Sequence, residues 1–198
     1  MKRRTKIFIG IILALSITVC LAIVYSPYGK HRGYDYKLIE TYVDIDVPAD
    51  SVFKYLGNSD NAQDWSVYVD HITPLNNDSF PDGAVGARRR CFRNPDEKGI
   101  WWDELITSVE PGKLRQLTIY NMHEFPMSAK GLATEQFYES YDGGNKCRLI
   151  FRVFFLHHDP GLWDELKTYL GAYTISNVFN ENLANIKHLT EKKYAEAR

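Results

Sequence analysis

The side chains in this sequence with the greatest capacity for chemistry are one carboxylate, a run of guanidiniums and two histidine clusters. Glu104 stands two residues after Trp102, so on an extended strand both side chains project to the same face. A carboxylate turned inward beside an indole loses its hydration and needs a cation or a hydrogen-bond donor. Arg88, Arg89 and Arg90 can supply one, and the sequence leaves open which of them faces inward. Such a pair could satisfy itself within the core, orient a ligand headgroup, or leave Glu104 as a general acid or base. His123-Glu124 and His157-His158-Asp159 offer metal-ligand atoms, but adjacent strand residues point apart and no further ligand follows at a suitable spacing. They read as loop or strand-end histidines. Cys20, Cys91 and Cys147 form no CxxC pair, and no base stands near enough in sequence to activate one of them. No metal and no other cofactor is expected.

These groups must be positioned by a chain of 198 residues, which suits one domain with a short appendage. The 24 basic and 25 acidic side chains leave a net charge of −1, which gives no electrostatic footprint for nucleic acid. Aromatic residues are abundant, with 13 Tyr, 10 Phe and 4 Trp, as befits a core or cavity walled by rings with polar edges. Nothing in the sequence fixes an oligomeric state.

The chain opens with a basic tail over 1–6, containing Lys2, Arg3, Arg4 and Lys6. From Ile7 to Val24 there is neither a charge nor a proline. At 1.5 Å per residue this stretch spans roughly 27 Å, the thickness of the hydrocarbon core, and Tyr25 suits the far interface. Bulky Ile23, Val24 and Tyr25 stand where signal peptidase requires small residues, so 7–25 reads as a retained transmembrane anchor. The excess of positive charge before the span favours a cytoplasmic N-terminus and an extracytoplasmic domain at the cell membrane. Residues 26–36, with Pro27, Gly29 and Gly33, read as a linker holding a 37–193 domain off the bilayer, and 194–198 as a short tail.

Within the domain, alternation over Leu38 to Val47 predicts a first strand, ended by Pro48. Two short helices follow, the first capped by Asp50 or Ser51 and the second near Asn61 to Val67. Six further strands are expected at 71–75, 85–92, 100–109, 114–121, 133–141 and 146–155, separated by turn-rich segments that make consecutive hairpins. A long C-terminal helix carries an apolar stripe of Leu162, Leu166, Tyr169, Tyr173, Phe179, Leu183, Ile186 and Leu189, interrupted by Ser176. Strand alternation puts Trp102, Glu104 and Ile106 on one face, Leu117 with Ile119 on another, and Leu149, Phe151 and Val153 on a third, opposite Arg148 and Arg152. Tyr138 shares a face with Gln136 and Thr134.

The element order resembles the SRPBCC superfamily (START-like, helix-grip), and within it the polyketide cyclase/dehydrase and lipid-transport group. The resemblance covers about 37–191. It rests on Val47-Pro48-Ala49-Asp50-Ser51-Val52-Phe53, Trp65, Gly83 to Cys91, Asp103-Glu104 leading to Val109-Glu110-Pro111-Gly112, and Gly143 to Leu149. Asn145-Lys146 replaces the Gly-Thr turn of many relatives, and the anchor is an addition. The resemblance implies an α+β fold, with a seven-stranded antiparallel sheet curled around the long helix over a cavity for a hydrophobic small molecule or lipid. Taken with the alternation pattern, it points to a lining of Trp65, Trp102, Glu104, Ile106, Leu117 and Ile119. Tyr138, Leu149, Phe151 and Val153 complete the sheet side, and Tyr173 and Ser176 the helix side. The functions that follow are a membrane-anchored binder or carrier, a cyclase/dehydratase-like enzyme using Glu104, or a domain docking on a membrane protein.

Overall fold

The computed structural model describes residues 2–125 and 129–196, with side chains from Ile7 onward, so the basic side chains read as the tail at 1–6 and the final two residues lie outside the description. Helix α1 (Lys2–Val24) contains the apolar stretch Ile7–Val24, long enough to cross a membrane and with none of it buried against the domain. A helix is the form in which such a segment meets all its own backbone hydrogen bonds without water.

The segment expected to be a linker is instead docked. Strand β1 (Gly29–Lys30) pairs antiparallel with Leu38 and Lys37 of β2 (Lys37–Ile45). Tyr28 is 3% exposed and packs edge-on against Tyr169 and Phe155, with ring centroids 5.1 and 6.2 Å away. The Ser26 hydroxyl donates to the Tyr169 carbonyl at 2.7 Å. Proline and glycine in 26–36 signal turns, but three tyrosines in the same segment each have apolar area to bury, and that burial outweighs the turn signal.

After β2 come α2 (Ala49–Gly57), a three-ten turn (Ser59–Asn61), α3 (Ala62–Trp65), β3 (His71–Pro74) and β4 (Arg88–Phe92). Then follow β5 (Trp101–Glu110), β6 (Leu114–His123), β7 (Leu132–Tyr141), β8 (Lys146–Phe155) and α4 (Leu162–Glu196). The strands form one antiparallel sheet in the order β1-β2-β8-β7-β6-β5-β4-β3. It has eight strands rather than seven because the docked junction contributes β1, and the expected strand from residue 85 begins only at Arg88, after the turn through Gly83 and Gly86. The β5–β6 hairpin turns through Gly112 (φ +70°), where a Cβ would lie 2.1 Å from Asp50 Oδ1, so both backbone conformation and space demand glycine.

The concave face of the sheet carries Ile39, Ile45, Leu149, Phe151 and Val153, which pack with Ala172, Phe179, Leu183 and Ile186 of α4. Helix α4 lies chiefly over the β2 edge and against α3, which leaves the middle of β5–β7 less covered. The convex side is also filled near β8: Leu38, Ala133 and Phe154 pack with Tyr34 and Tyr36. Beside them Arg152 bridges Glu40 at 2.7 Å and Glu135 at 2.6 Å.

The buried face of α4 keeps much of the expected apolar stripe, with Leu183 and Ile186 buried and Tyr169 and Phe179 packed against the core, but departs from it in part. Leu162 is 77% and Tyr173 38% exposed, whereas Thr168, Ala172, Asn182 and Thr190 turn inward. Polar residues reach the core at little cost because Thr168 and Thr190 donate to the Asp164 and Ile186 carbonyls of their own helix, at 2.8 and 2.7 Å.

Burial also sets a pH dependence. It pushes the Tyr28 hydroxyl and the Cys147 thiol each up to about 12, and raises Tyr138. In the unfolded chain these groups lose protons near about 8.5 for Cys and about 10 for Tyr, so above that range the unfolded state binds fewer protons than the folded one. Their contribution is complete below about pH 8 and is lost as pH rises toward about 12. Urea midpoints of the full chain are expected to fall steadily from about pH 8 to about pH 11. A flat or rising profile would remove these groups as its cause.

Candidate functional site

Strand register decides which polar side chains the concave face receives. Arg89 of β4 lies opposite Glu104 of β5, Arg115 of β6 opposite Gln136 of β7, and Gln136 opposite Phe151 of β8. Arg89 is therefore the inward member of the arginine run, while Arg90 points to the convex side and pairs with Asp103 at 2.7 Å.

Glu104 is held from both sides. Arg89 Nε donates to Oε2 at 2.8 Å and Trp102 Nε1 donates to Oε1 at 2.9 Å. Burial opposes the charge of Arg89, and Glu104 more than offsets that penalty, so the guanidinium remains charged. Arg89 Nη1 continues to the Ser59 hydroxyl at 3.3 Å, and Ser59 donates from both its hydroxyl and its backbone nitrogen to the two oxygens of Asp82, each at 2.7 Å. This chain of bonds ties β4 and β5 to the turn after α2. With both carboxylate oxygens engaged, Glu104 serves as a strut, and the geometry gives no support to its use as an acid or base.

A second polar group lies deeper, under α2. Arg115 is 2% exposed; its guanidinium sits 4.3 Å from the centroid of the Phe53 ring, and Nη1 donates to Gln136 Oε1 at 3.1 Å and to the Tyr138 hydroxyl at 3.4 Å. Tyr138 in turn donates to Gln136 Oε1 at 2.8 Å. Burial lowers the pKa of Arg115, and among the described residues no carboxylate pairs with it. Gly57 makes room for it: a Cβ there would lie 2.8 Å from Nη2.

Three buried side-chain polar atoms lack hydrogen-bond partners among the described residues: Thr41 Oγ1, Trp65 Nε1 and Arg115 Nε. Two of them border Phe151: Thr41 is its cross-strand neighbour and Trp65 packs edge-on to it at 6.5 Å, while Arg115 lies two strands away, beyond Gln136. Buried polar groups are ordinarily satisfied, so each of the three marks a place where a partner is missing.

Around this point the inward-facing Ile119, Thr134, Gln136, Trp65 and Ser176 are only half-buried, although Trp102, Glu104, Ile106, Leu117, Tyr138 and Phe151 beside them are closed. Their partial exposure leaves the concave face incompletely closed between β5–β7 and the α3/α4 side, a region termed the hollow. Near it Phe125 packs against Trp102 at 5.5 Å and Tyr68 at 6.3 Å. Leu149 and Val153 lie on the same face but are sealed into core clusters. Tyr173 lies outside the hollow, because its hydroxyl donates to the Ala22 carbonyl of α1 at 2.9 Å. An open groove of about 430 Å³ lies elsewhere, between α2 and the end of α4, and its lining includes Tyr55, Lys193 and Tyr194 but no concave-face residue.

Ser59, Asp82, Arg115 and Gln136 complete the network that the sequence reading did not assemble. Arg115 was within reach of strand alternation: it stands two residues before Leu117 and shares its face. Ser59 and Asp82 lie in turns, where no periodicity marks direction. The histidines are used in packing, His123 stacked on Trp101 at 5.0 Å and His158 on Tyr36 at 3.8 Å. Cys91 and Cys147 are free thiols on β4 and β8, kept apart by three intervening strands.

No protein-family model matches the sequence, and no curated protein matches it significantly. Solved structures do. A norcoclaurine synthase variant from Thalictrum flavum is similar with a TM-score of 0.60 at 12% identity, over 80% of this chain and 96% of that one. The Zhui aromatase/cyclase from a Streptomyces species gives 0.60 at 14% identity, over 79% and 94%. An uncharacterised Bacillus thuringiensis protein gives 0.57 at 15% identity, over 77% and 98%. Identities this low establish architecture alone, and the architecture is the helix-grip fold.

Proposed function

We propose that this chain is a membrane-tethered binding protein that holds a hydrophobic small molecule between the middle of its sheet and α4. The observation that carries the reading is the partial exposure of inward residues among aromatic side chains, with two unpartnered buried polar atoms, Thr41 Oγ1 and Trp65 Nε1, beside Phe151. Apolar enclosures with a few fixed polar groups are the usual form of small-molecule sites. One structural neighbour, a norcoclaurine synthase, is solved in complex with dopamine and hydroxybenzaldehyde.

Tethering rests on α1, whose Ile7–Val24 stretch is long and apolar enough to cross a membrane. Ala129 packs in the same cluster as Tyr28 at the root of α1. A domain tethered in this way is close to solutes that partition into lipid. Leu162 and Trp163, 77% and 72% exposed at the start of α4, suit a membrane interface. With four basic residues before the span, the domain is oriented away from the cytoplasm.

The test is to purify the full chain from its native membrane, release it for native mass spectrometry, and identify what solvent extraction removes. A stoichiometric apolar compound is expected. Consistently empty protein that also takes up no apolar probe would overturn the reading. A C-terminal topology reporter active only in the cytoplasm would reverse the orientation.

A further inference from the structure

The hollow contains a donor whose direction is fixed by chemistry. Gln136 is half-buried on the concave face, between Arg115 on β6 and Phe151 on β8. Its side-chain oxygen accepts from Arg115 Nη1 at 3.1 Å and from the Tyr138 hydroxyl at 2.8 Å. A guanidinium can only donate, so the oxygen of the amide must face Arg115 and the nitrogen must face away from it. Among the described residues that nitrogen makes no hydrogen bond. Arg115 and Tyr138, each 2% exposed, cannot swing away to let the amide flip. Two donors on the carbonyl also polarise the amide and strengthen its N–H groups as donors.

The surroundings extend the bias. Trp65 Nε1 is a second donor without a partner near Phe151. The inward carboxylate, Glu104, has both oxygens engaged by Arg89 and Trp102, and so offers no competing acceptor. The neighbouring inward side chains, Leu117 and Phe151, are apolar and closed.

We propose that Gln136 is the specificity-determining residue of the hollow, donating through Nε2 to an acceptor oxygen, as in a carbonyl, carboxylate or sulfonate, on an otherwise apolar ligand, with Arg115 as the positioning residue that sets the amide's direction. This rests on the binding function proposed above and names the chemistry of its ligand. Apolar ligands that present only donors at that point, such as an alkylammonium, meet another donor and are rejected.

Two naphthyl probes test it: phenylnaphthylamine, which has no acceptor oxygen, and its sulfonate, anilinonaphthalene sulfonate. The full chain is held in a non-fluorescent amphipol, and binding is read by energy transfer from the tryptophans at the hollow. The sulfonate is expected to bind the native chain on the order of tenfold tighter than the amine, the factor for one charge-assisted hydrogen bond. Gln136→Glu still accepts from Arg115 but presents an acceptor instead of a donor. It should lose about tenfold or more toward the sulfonate and keep or gain affinity for the amine. Gln136→Leu should lose the sulfonate preference and leave the amine unchanged, which separates a lost donor from added repulsion. Thermal melts of both variants near the native value separate a lost donor from a lost fold. An unchanged probe ratio in Gln136→Glu would overturn the assignment of Gln136 while leaving the binding function standing. Failure of both probes to bind the native chain would remove the binding function and this inference together.

Discussion

Replacing Glu104 with alanine is expected to destabilise the chain by about 3–5 kcal/mol, the cost of leaving a buried cation without its partner. Arg89 is 7% exposed, so water cannot take the place of the carboxylate. Trp102 Nε1 loses its acceptor in the same step. The loss should appear as a lower urea midpoint with an unchanged slope, since the folded surface remains the same. Converting the pair together, with Glu104→Leu and Arg89→Met, should recover more than half of it, because two apolar side chains of similar size need no mutual charge. If the double variant is no better than Glu104→Ala, the cost lies in packing and the strut described here is wrong. Glu104→Gln keeps one acceptor oxygen but turns an amide N–H toward the other donor and leaves Arg89 without a counter-charge, so it should cost most of what alanine does.

Removal of the Phe151 ring has a comparable effect by another route. Phe151 is 5% exposed and packs edge-on against both Trp65 and Phe179, with centroids 6.5 and 5.3 Å away. Phe151→Ala is expected to cost about 3–5 kcal/mol from lost burial and the space left behind, whereas Ile186→Val in the closed core should cost only about 0.5–1.5 kcal/mol. Equilibrium unfolding of both variants checks the pair. A small cost at Phe151 would mean that the sheet and α4 close together in its absence, and the hollow would then be a soft feature rather than a built one.

Much of this architecture was legible in the sequence because strand alternation is a local signal. Leu149, Phe151 and Val153 were placed on one face by spacing alone, and the structure puts them there with Arg148 and Arg152 opposite. The long helix was equally plain in extent, but its buried face was not. Leu162 and Tyr173 are apolar or aromatic yet lie outside, while threonines and an asparagine lie inside, since back-bonding threonines do not declare themselves as core residues. In the same way, Arg115 lies buried on the concave face, although a strand position holding arginine reads as solvent-facing until register is known. The junction after α1 was misread for a related reason: Gly29 and Gly33 announce turns, but only the fold shows that Tyr28 has a slot between Tyr169 and Phe155.

That junction has a mechanical meaning. Between the last turn of α1 and the first long strand, the Tyr173–Ala22 and Ser26–Tyr169 hydrogen bonds, the seated Tyr28 ring and the β1 pairing leave no slack. Under the membrane-tethered reading proposed above, the domain would be a bracket rather than a bucket on a rope, with no stroke to ferry cargo across a gap to a second membrane. A ligand held in it would then be exchanged by partners or lipids drifting in the plane of the same membrane, and such traffic would scale with lateral encounter and not with the length of a tether.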